Sequence, residues 1–221
     1  MAVRLQVEQL RARLRAFSHW HAAHVAQGWR VHAVEAATPP GAGIPFPYRD
    51  DAPPVGLRAR IDRVDHHPGT GRWAVFDYKT SEAGDGPDAT HRRGRPDPEW
   101  VDLQLPLYHW LVTRMTLPSG AADRAPGGIP LVPASDPAPR IELGYLLLPR
   151  DLDRVGAAMA EWDEATLADG VACARRVLDR LRTDPVPPTE PHRARYPDEQ
   201  LDALLGRSVL VADGEGGEGA P

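Results

Sequence analysis

The chain has 221 residues, 42% of them hydrophobic and 26% charged, with 26 basic side chains against 31 acidic ones and a net charge of −5. That describes one soluble domain of ordinary size with enough chain for a core, and it excludes a protein that coats nucleic acid by bulk charge, though not a local basic patch. The single cysteine, Cys173, excludes an internal disulfide, a four-cysteine iron–sulfur cluster and a cysteine-built zinc site, and the lack of a long apolar run or signal-peptide core points to a cytoplasmic protein with no membrane span.

In chain order, residues 3–26 place Leu5, Leu10, Leu14, Phe17, His21 and His24 or Val25 at helical spacing, and Gly28 ends that helix. Residues 29–37, 55–65 and 72–79 have strand patterns, and the link around Gly69-Thr70-Gly71 predicts a hairpin between the last two. Residues 98–113 predict a helix with Trp100, Leu103, Leu107 and Leu111 on one face. Residues 141–148 predict an apolar strand, and 151–182 one long amphipathic helix or two. Glycine and proline cluster at 38–56, 117–139 and 184–197, which predicts loops, and the tail 211–221 has the composition of a disordered end. The order α-β-β-β-α-β-α implies an α/β fold with a mixed sheet, because the second and third strands are linked too tightly for a parallel crossover.

Of the 26 basic residues, 25 are arginine, and the one lysine is Lys79. Strand periodicity puts Trp73, Val75, Asp77 and Lys79 on one face, with the acid and the ammonium about 7 Å apart along the strand. An ordinary surface ion pair accounts for Asp77 but not for the choice of lysine, since arginine pairs with carboxylates at least as well. A site that demands lysine wants a compact point charge or a tunable amine. The hairpin sets Asp62 roughly opposite Val75 or Asp77, and two carboxylates beside a lysine suit a magnesium ion, which takes oxygen ligands and keeps several waters. Glu35 follows Trp29, Val31 and Ala33 at period two, on a face that is otherwise apolar, where it needs an arginine or a metal. Gln104 and Tyr108 are four apart and share a helix face. The run His91-Arg92-Arg93-Gly94-Arg95 lies close in sequence to these acids and suits a phosphodiester backbone.

Gly56-x5-Asp62-Arg63-x-Asp65, then Asp77-Tyr78-Lys79-Thr80, then Gln104-Leu105-Pro106-Leu107-Tyr108 resemble, in order and spacing, the PD-(D/E)XK nuclease superfamily, in particular its RecB/AddB-like branch. The resemblance implies a restriction-endonuclease-like core (α-β-β-β-α-β) with helices flanking a mixed central sheet. It divides the chain into a nuclease-like domain over 1–190 and a C-terminal extension over 191–221. It implies Asp62 and Asp77 as ligands of magnesium (or manganese), with the Tyr78 carbonyl as a further one. Lys79 becomes the catalytic lysine, and Gln104 and Tyr108 support the site or touch DNA. Arg92, Arg93 and Arg95 are the expected DNA contacts. Several relatives take a histidine ligand from the first helix; here His19, His21 and His24 compete for it, and Glu35 is favoured in its place, with His24 second. Ser81 stands where several relatives have glycine.

The function implied is a magnesium-dependent DNA nuclease of exonuclease type in recombination or repair. Its alternatives are a catalytically inactive DNA-binding or structural module and a hydrolase of small phosphate esters. A chain with one lysine, at Lys79, holds no phosphate-binding G-x4-G-K-[ST] loop. A helicase partner therefore lies on another polypeptide or another part of a longer parent.

Overall fold

The computed structural model describes residues 2–39, 41, 43–117, 129–135 and 138–183. In chain order the elements are α1 (Ala2–Ala26), β1 (Arg30–Ala37), β2 (Ile44–Phe46), β3 (Val55–Leu57), β4 (Arg60–His67), β5 (Arg72–Lys79), α2 (Pro87–His91), β6 (Arg92–Arg93), β7 (Glu99–Trp100), α3 (Gln104–Val112), β8 (Thr116–Leu117), β9 (Ile129–Pro130), β10 (Ile141–Leu147), a 3-10 turn (Leu152–Arg154), β11 (Gly156–Met159) and α4 (Glu164–Thr183). The chain separates into a unit over Met1–Arg180 and a second over Leu181–Pro221. The tail, the stretch 184–197, the boundary expected at 190 and the middle of the 117–139 loop lie outside the described residues. Among the described residues, no helix is long and apolar enough to cross a membrane.

Five strands form the main sheet in the order β1-β4-β5-β10-β11. β5 and β10 run parallel and the other neighbours antiparallel, so the sheet is mixed, as the short β4–β5 link requires. That hairpin closes with the N–H groups of Thr70 and Gly71 donating to the His67 carbonyl, and Gly71 takes the left-handed φ of 68° that glycine tolerates. β5 is central because both of its faces are apolar. Trp73 and Val75 pack with Leu105, Tyr108, Leu111 and Val112 of α3 and Leu167 of α4. Ala74 and Phe76 pack with Trp29 and Leu146 beneath Phe17 and Trp20 of α1. Helices thus cover both faces, and the arrangement is that of a restriction-endonuclease-like fold.

Several elements differ from the periodicity. The strand expected over 55–65 is two strands. β3 turns away to pair with β2, and Gly43 and Gly56 let those backbones approach so closely that a Cβ on Gly43 would lie 2.7 Å from Gly56. β2 itself falls in a stretch expected to be loop and contributes the fully buried Phe46. The helix expected from 98 begins only at Gln104, and Glu99–Trp100 pairs instead with Arg92–Arg93. Pro106 explains this: it lacks an N–H and clashes with the carbonyl four residues back, so it is tolerated in a first turn and not deeper. The amphipathic stretch 151–182 holds a 3-10 turn and an edge strand before α4, whose start is marked by Asp163 Oδ1 accepting the Thr166 N–H. On α1 only the later turns pack: Phe17 and Trp20 meet the core, while Leu5, Leu10 and Leu14 stay exposed.

Candidate active site

The register of the sheet brings the acids together. Val64 pairs with Val75 and Arg63 with Phe76, so the next step of the ladder opposes Asp62 to Asp77. On the other side of β4, the pairs Val34–Arg63 and Ala36–Ile61 bracket Glu35 and Asp62. On the far side of β5, Asp77 pairs with Tyr145 of β10. One row across four strands therefore carries Glu35, Asp62, Asp77 and Tyr145. At Asp62 its side chain enters the ladder: Oδ2 accepts the Tyr78 N–H at 2.9 Å, satisfying a donor that would otherwise need a partner.

Asp77 is buried and Lys79 half-buried, and the Lys79 ammonium donates to Asp77 Oδ2 at 2.8 Å. α3 completes the pair. Gln104 Nε2 donates to Asp77 Oδ1 at 2.7 Å, while Gln104 Oε1 accepts from Lys79 at 3.3 Å. One amide thus reads acid and amine with the end suited to each. Gln104 Nε2 also donates to the Tyr108 hydroxyl at 3.0 Å, and that hydroxyl donates to the Arg60 carbonyl at 2.7 Å, tying α3 to the start of β4. Asp102 Oδ1 accepts the Gln104 N–H at 2.7 Å and fixes where the helix begins. Burial first, then the charges of Asp77 and Asp62, push the Tyr108 phenol above its ordinary value, so it is a protonated donor at neutral pH.

The other expected residues are placed as follows. Tyr78 turns its ring to the opposite side of β5, edge-on to Phe17. Glu35 is exposed and ion-paired with Arg60, and its face is not the apolar one expected. A register shift between Val31 and Ala33 and a left-handed φ of 52° at Glu35 break period two, so Ala33 and Ala36 are buried instead. His24 lies on the α1 side of the sheet, where Nε2 is 2.9 Å from Asp65 Oδ2, and His21 meets Arg63. Arg63 and Asp65, buried there, form a two-pronged pair at 2.7 Å in each bond. Burial by itself would raise the Asp65 carboxyl; the hydrogen bonds from His24 and Arg63, with their charge, outweigh it and hold Asp65 below the usual range. Arg92 stacks its guanidinium over Trp100, 5.3 Å from the ring centroid, and donates to the Pro98 carbonyl. Arg93 and Arg95 are exposed, and Arg92 and Arg95 line an open hollow with Gly94, Pro96 and Pro98.

Two participants escape the sequence patterns. Tyr145 lies in an apolar strand, and its ring sits under Lys79, 4.8 Å from Nζ. His91 belongs to the basic run yet is fully buried, with Nε2 2.6 Å from the Tyr145 hydroxyl. Neither residue has a spacing signal; only the fold brings them to the lysine.

The donor set fits a hard divalent cation. Among the described residues, no three His, Cys, Asp or Glu side chains form a cage by themselves. Two carboxylates from opposed strand positions are a donor set that magnesium uses, with waters completing its shell. No curated protein and no solved structure matches the chain. A family model for the PD-(D/E)XK nuclease superfamily matches residues 2–207. With the acid–acid–lysine row and the helix-covered mixed sheet, that match over most of the chain establishes that it belongs to the PD-(D/E)XK nuclease superfamily.

Proposed function

We propose that the chain is a magnesium-dependent deoxyribonuclease, of exonuclease type and RecB/AddB-like, that hydrolyses phosphodiester bonds in DNA recombination or repair alongside a helicase carried on another polypeptide or domain. The observation that carries this reading is the Lys79–Asp77 contact held by Gln104 and Tyr108, with Asp62 one ladder step beyond the Arg63–Phe76 pair.

Asp62 and Asp77 would hold the cation, with the Tyr78 carbonyl as a further oxygen donor; Glu35, beside Asp62 in the ladder, would join them by releasing Arg60, and it is favoured over His24, which is bonded to Asp65 on the reverse of the sheet. A magnesium (or manganese) ion held there would supply polarisation of the phosphate and acidification of a water. Lys79 supplies a point charge to the phosphate oxygens as negative charge builds on them. Gln104 bonds both the acid and the amine, which are themselves in contact at 2.8 Å, and so holds the pair in one arrangement while DNA enters. The water oxygen bonds to phosphorus, the P–O ester bond breaks, and the proton passes to the leaving oxygen. Arg93 and Arg95 hold the flanking backbone, with Arg92 braced on Trp100.

The test is degradation of end-labelled linear DNA against closed circular DNA of the same sequence, with magnesium, with manganese and with a chelator. Metal-dependent loss of linear DNA alone supports the exonuclease. Cleavage of circles makes the enzyme an endonuclease, and DNA binding with no cutting under any metal favours the non-catalytic module.

A further inference from the structure

Lys79 reaches the site on a flexible stem with its side chain about one-third exposed, so something must hold its ammonium still. Three groups surround Nζ: Asp77 Oδ2, Gln104 Oε1 and the face of the Tyr145 ring. The ring differs from Asp77 in carrying no charge, and from Gln104, whose amide also bonds Asp77 and Tyr108, in having a face with no other polar partner to serve. Asp77 must also serve a cation, and any added carboxylate would repel the phosphate. An aromatic face attracts an ammonium through its quadrupole without adding negative charge to the site.

The ring is itself fixed. Tyr145 is fully buried, paired in register with Asp77, with Leu147 next to it on the same face opposite Lys79. Its hydroxyl lies 2.6 Å from His91 Nε2 and 3.0 Å from Thr90 Oγ1. His91 Nδ1 is 2.9 Å from the Asp102 carbonyl, which only accepts, so Nδ1 carries the proton and Nε2 accepts from the tyrosine. Burial holds the His91 imidazole down, in its neutral form, and pushes the Tyr145 phenol up to about 12, so this proton arrangement persists at neutral pH.

We infer that Tyr145 is a positioning residue whose ring face holds the Lys79 ammonium in the site, clamped from behind by His91 and Thr90. The inference rests on Lys79 being the lysine of the proposed reaction, but the holding can be read without any reaction. Because Lys79 is the only lysine, reductive methylation with 13C-formaldehyde labels one side chain besides the terminal amine, and Lys79→Arg identifies its signal.

In the labelled wild type the Lys79 methyl resonance is expected upfield of a solvent-exposed dimethyl-lysine, with a nuclear Overhauser effect to the Tyr145 ring. Tyr145→Leu removes the shift and slows single-turnover DNA cleavage about tenfold, which is about 1.4 kcal/mol and within the range of a desolvated cation–ring contact, with DNA affinity little changed. Tyr145→Phe keeps the ring, keeps the shift and restores most of the rate lost in the leucine variant. The inference is overturned if wild-type Lys79 shows neither upfield shift nor Overhauser effect, if Tyr145→Leu keeps the shift, or if it loses the shift and cleaves at the wild-type rate. If Tyr145→Leu does not fold, the Overhauser effect in wild type, assigned through Tyr145→Phe, decides. A wild type that cuts no DNA defeats the nuclease reading, while the shift still reports whether the ring holds the amine.

Discussion

Arg63 and Asp65 form an ion pair on the reverse of the strand that carries Asp62, and its two halves should fail differently. Arg63 is 3% exposed and Asp65 fully buried, with two bonds of 2.7 Å between them. Asp65→Asn leaves a buried guanidinium that cannot give up its proton, so the loss is about 3–5 kcal/mol and flat with pH across the neutral range. Arg63→Met leaves a carboxylate, which can escape by binding a proton. From an unfolded value of about 3.9, that escape costs about 4 kcal/mol at pH 7 and about 1.5 kcal/mol at pH 5, and these are ceilings on the charge penalty. In wild type the sign is opposite. Asp65 is held below its usual range, so its contribution is fully present above about pH 4 and is lost as pH falls through its folded pKa. Urea unfolding of the three proteins at pH 5 and pH 7 measures all of this. An Asp65→Asn loss below about 1 kcal/mol, or an Arg63→Met loss that grows toward acid pH, refutes the reasoning.

Other consequences follow from the same geometry. Gln104→Ala removes hydrogen bonds to two charged groups, each worth about 1.5–3 kcal/mol, and should slow cleavage by about 10- to 100-fold in single-turnover assays. Tyr108→Phe strips the Arg60 carbonyl of its donor and should cost about 1–2 kcal/mol in urea unfolding, with the loss unchanged from pH 6 to pH 8 because the phenol stays protonated there. Replacing Arg93 and Arg95 by alanine should weaken DNA binding and flatten its salt dependence by about 0.7–0.9 log units for each phosphate no longer neutralised, measured by fluorescence anisotropy across a salt series.

The parts of the fold that a short-range pattern controls were legible in the sequence. β5 begins and ends where its apolar run does, because both faces are covered and its flanks are a glycine turn and a polar loop. The hairpin put Asp62 opposite Val75 or Asp77, since a tight link leaves little freedom of register, and the Arg63–Phe76 pair decides for Asp77. Patterns failed where tertiary pairing overrode them. Val55–Leu57 alternates like the start of β4, yet it pairs with a strand hidden among prolines. The residues 151–159 have helical spacing, but β10 needed an antiparallel neighbour. Pro106 was a signal for the true start of α3 that spacing alone did not weigh. At the site, Gln104 and Tyr108 were visible as a pair four apart, whereas Tyr145 and His91 became visible only through long-range packing. Glu35 shows the limit from the other side: period two put it on a buried face, and one left-handed residue was enough to send it to Arg60.

The central claim is that Asp62, Asp77 and Lys79 form a nuclease centre. The most direct measurement compares wild type, Asp77→Ala and Lys79→Ala for release of nucleotides from linear single- and double-stranded DNA in magnesium, with folding checked by urea unfolding. Wild type should degrade the DNA and each variant should lose at least about 100-fold, since each removes a charge that stabilises the transition state. Equal degradation by all three proteins, or degradation by Lys79→Ala at the wild-type rate, contradicts it.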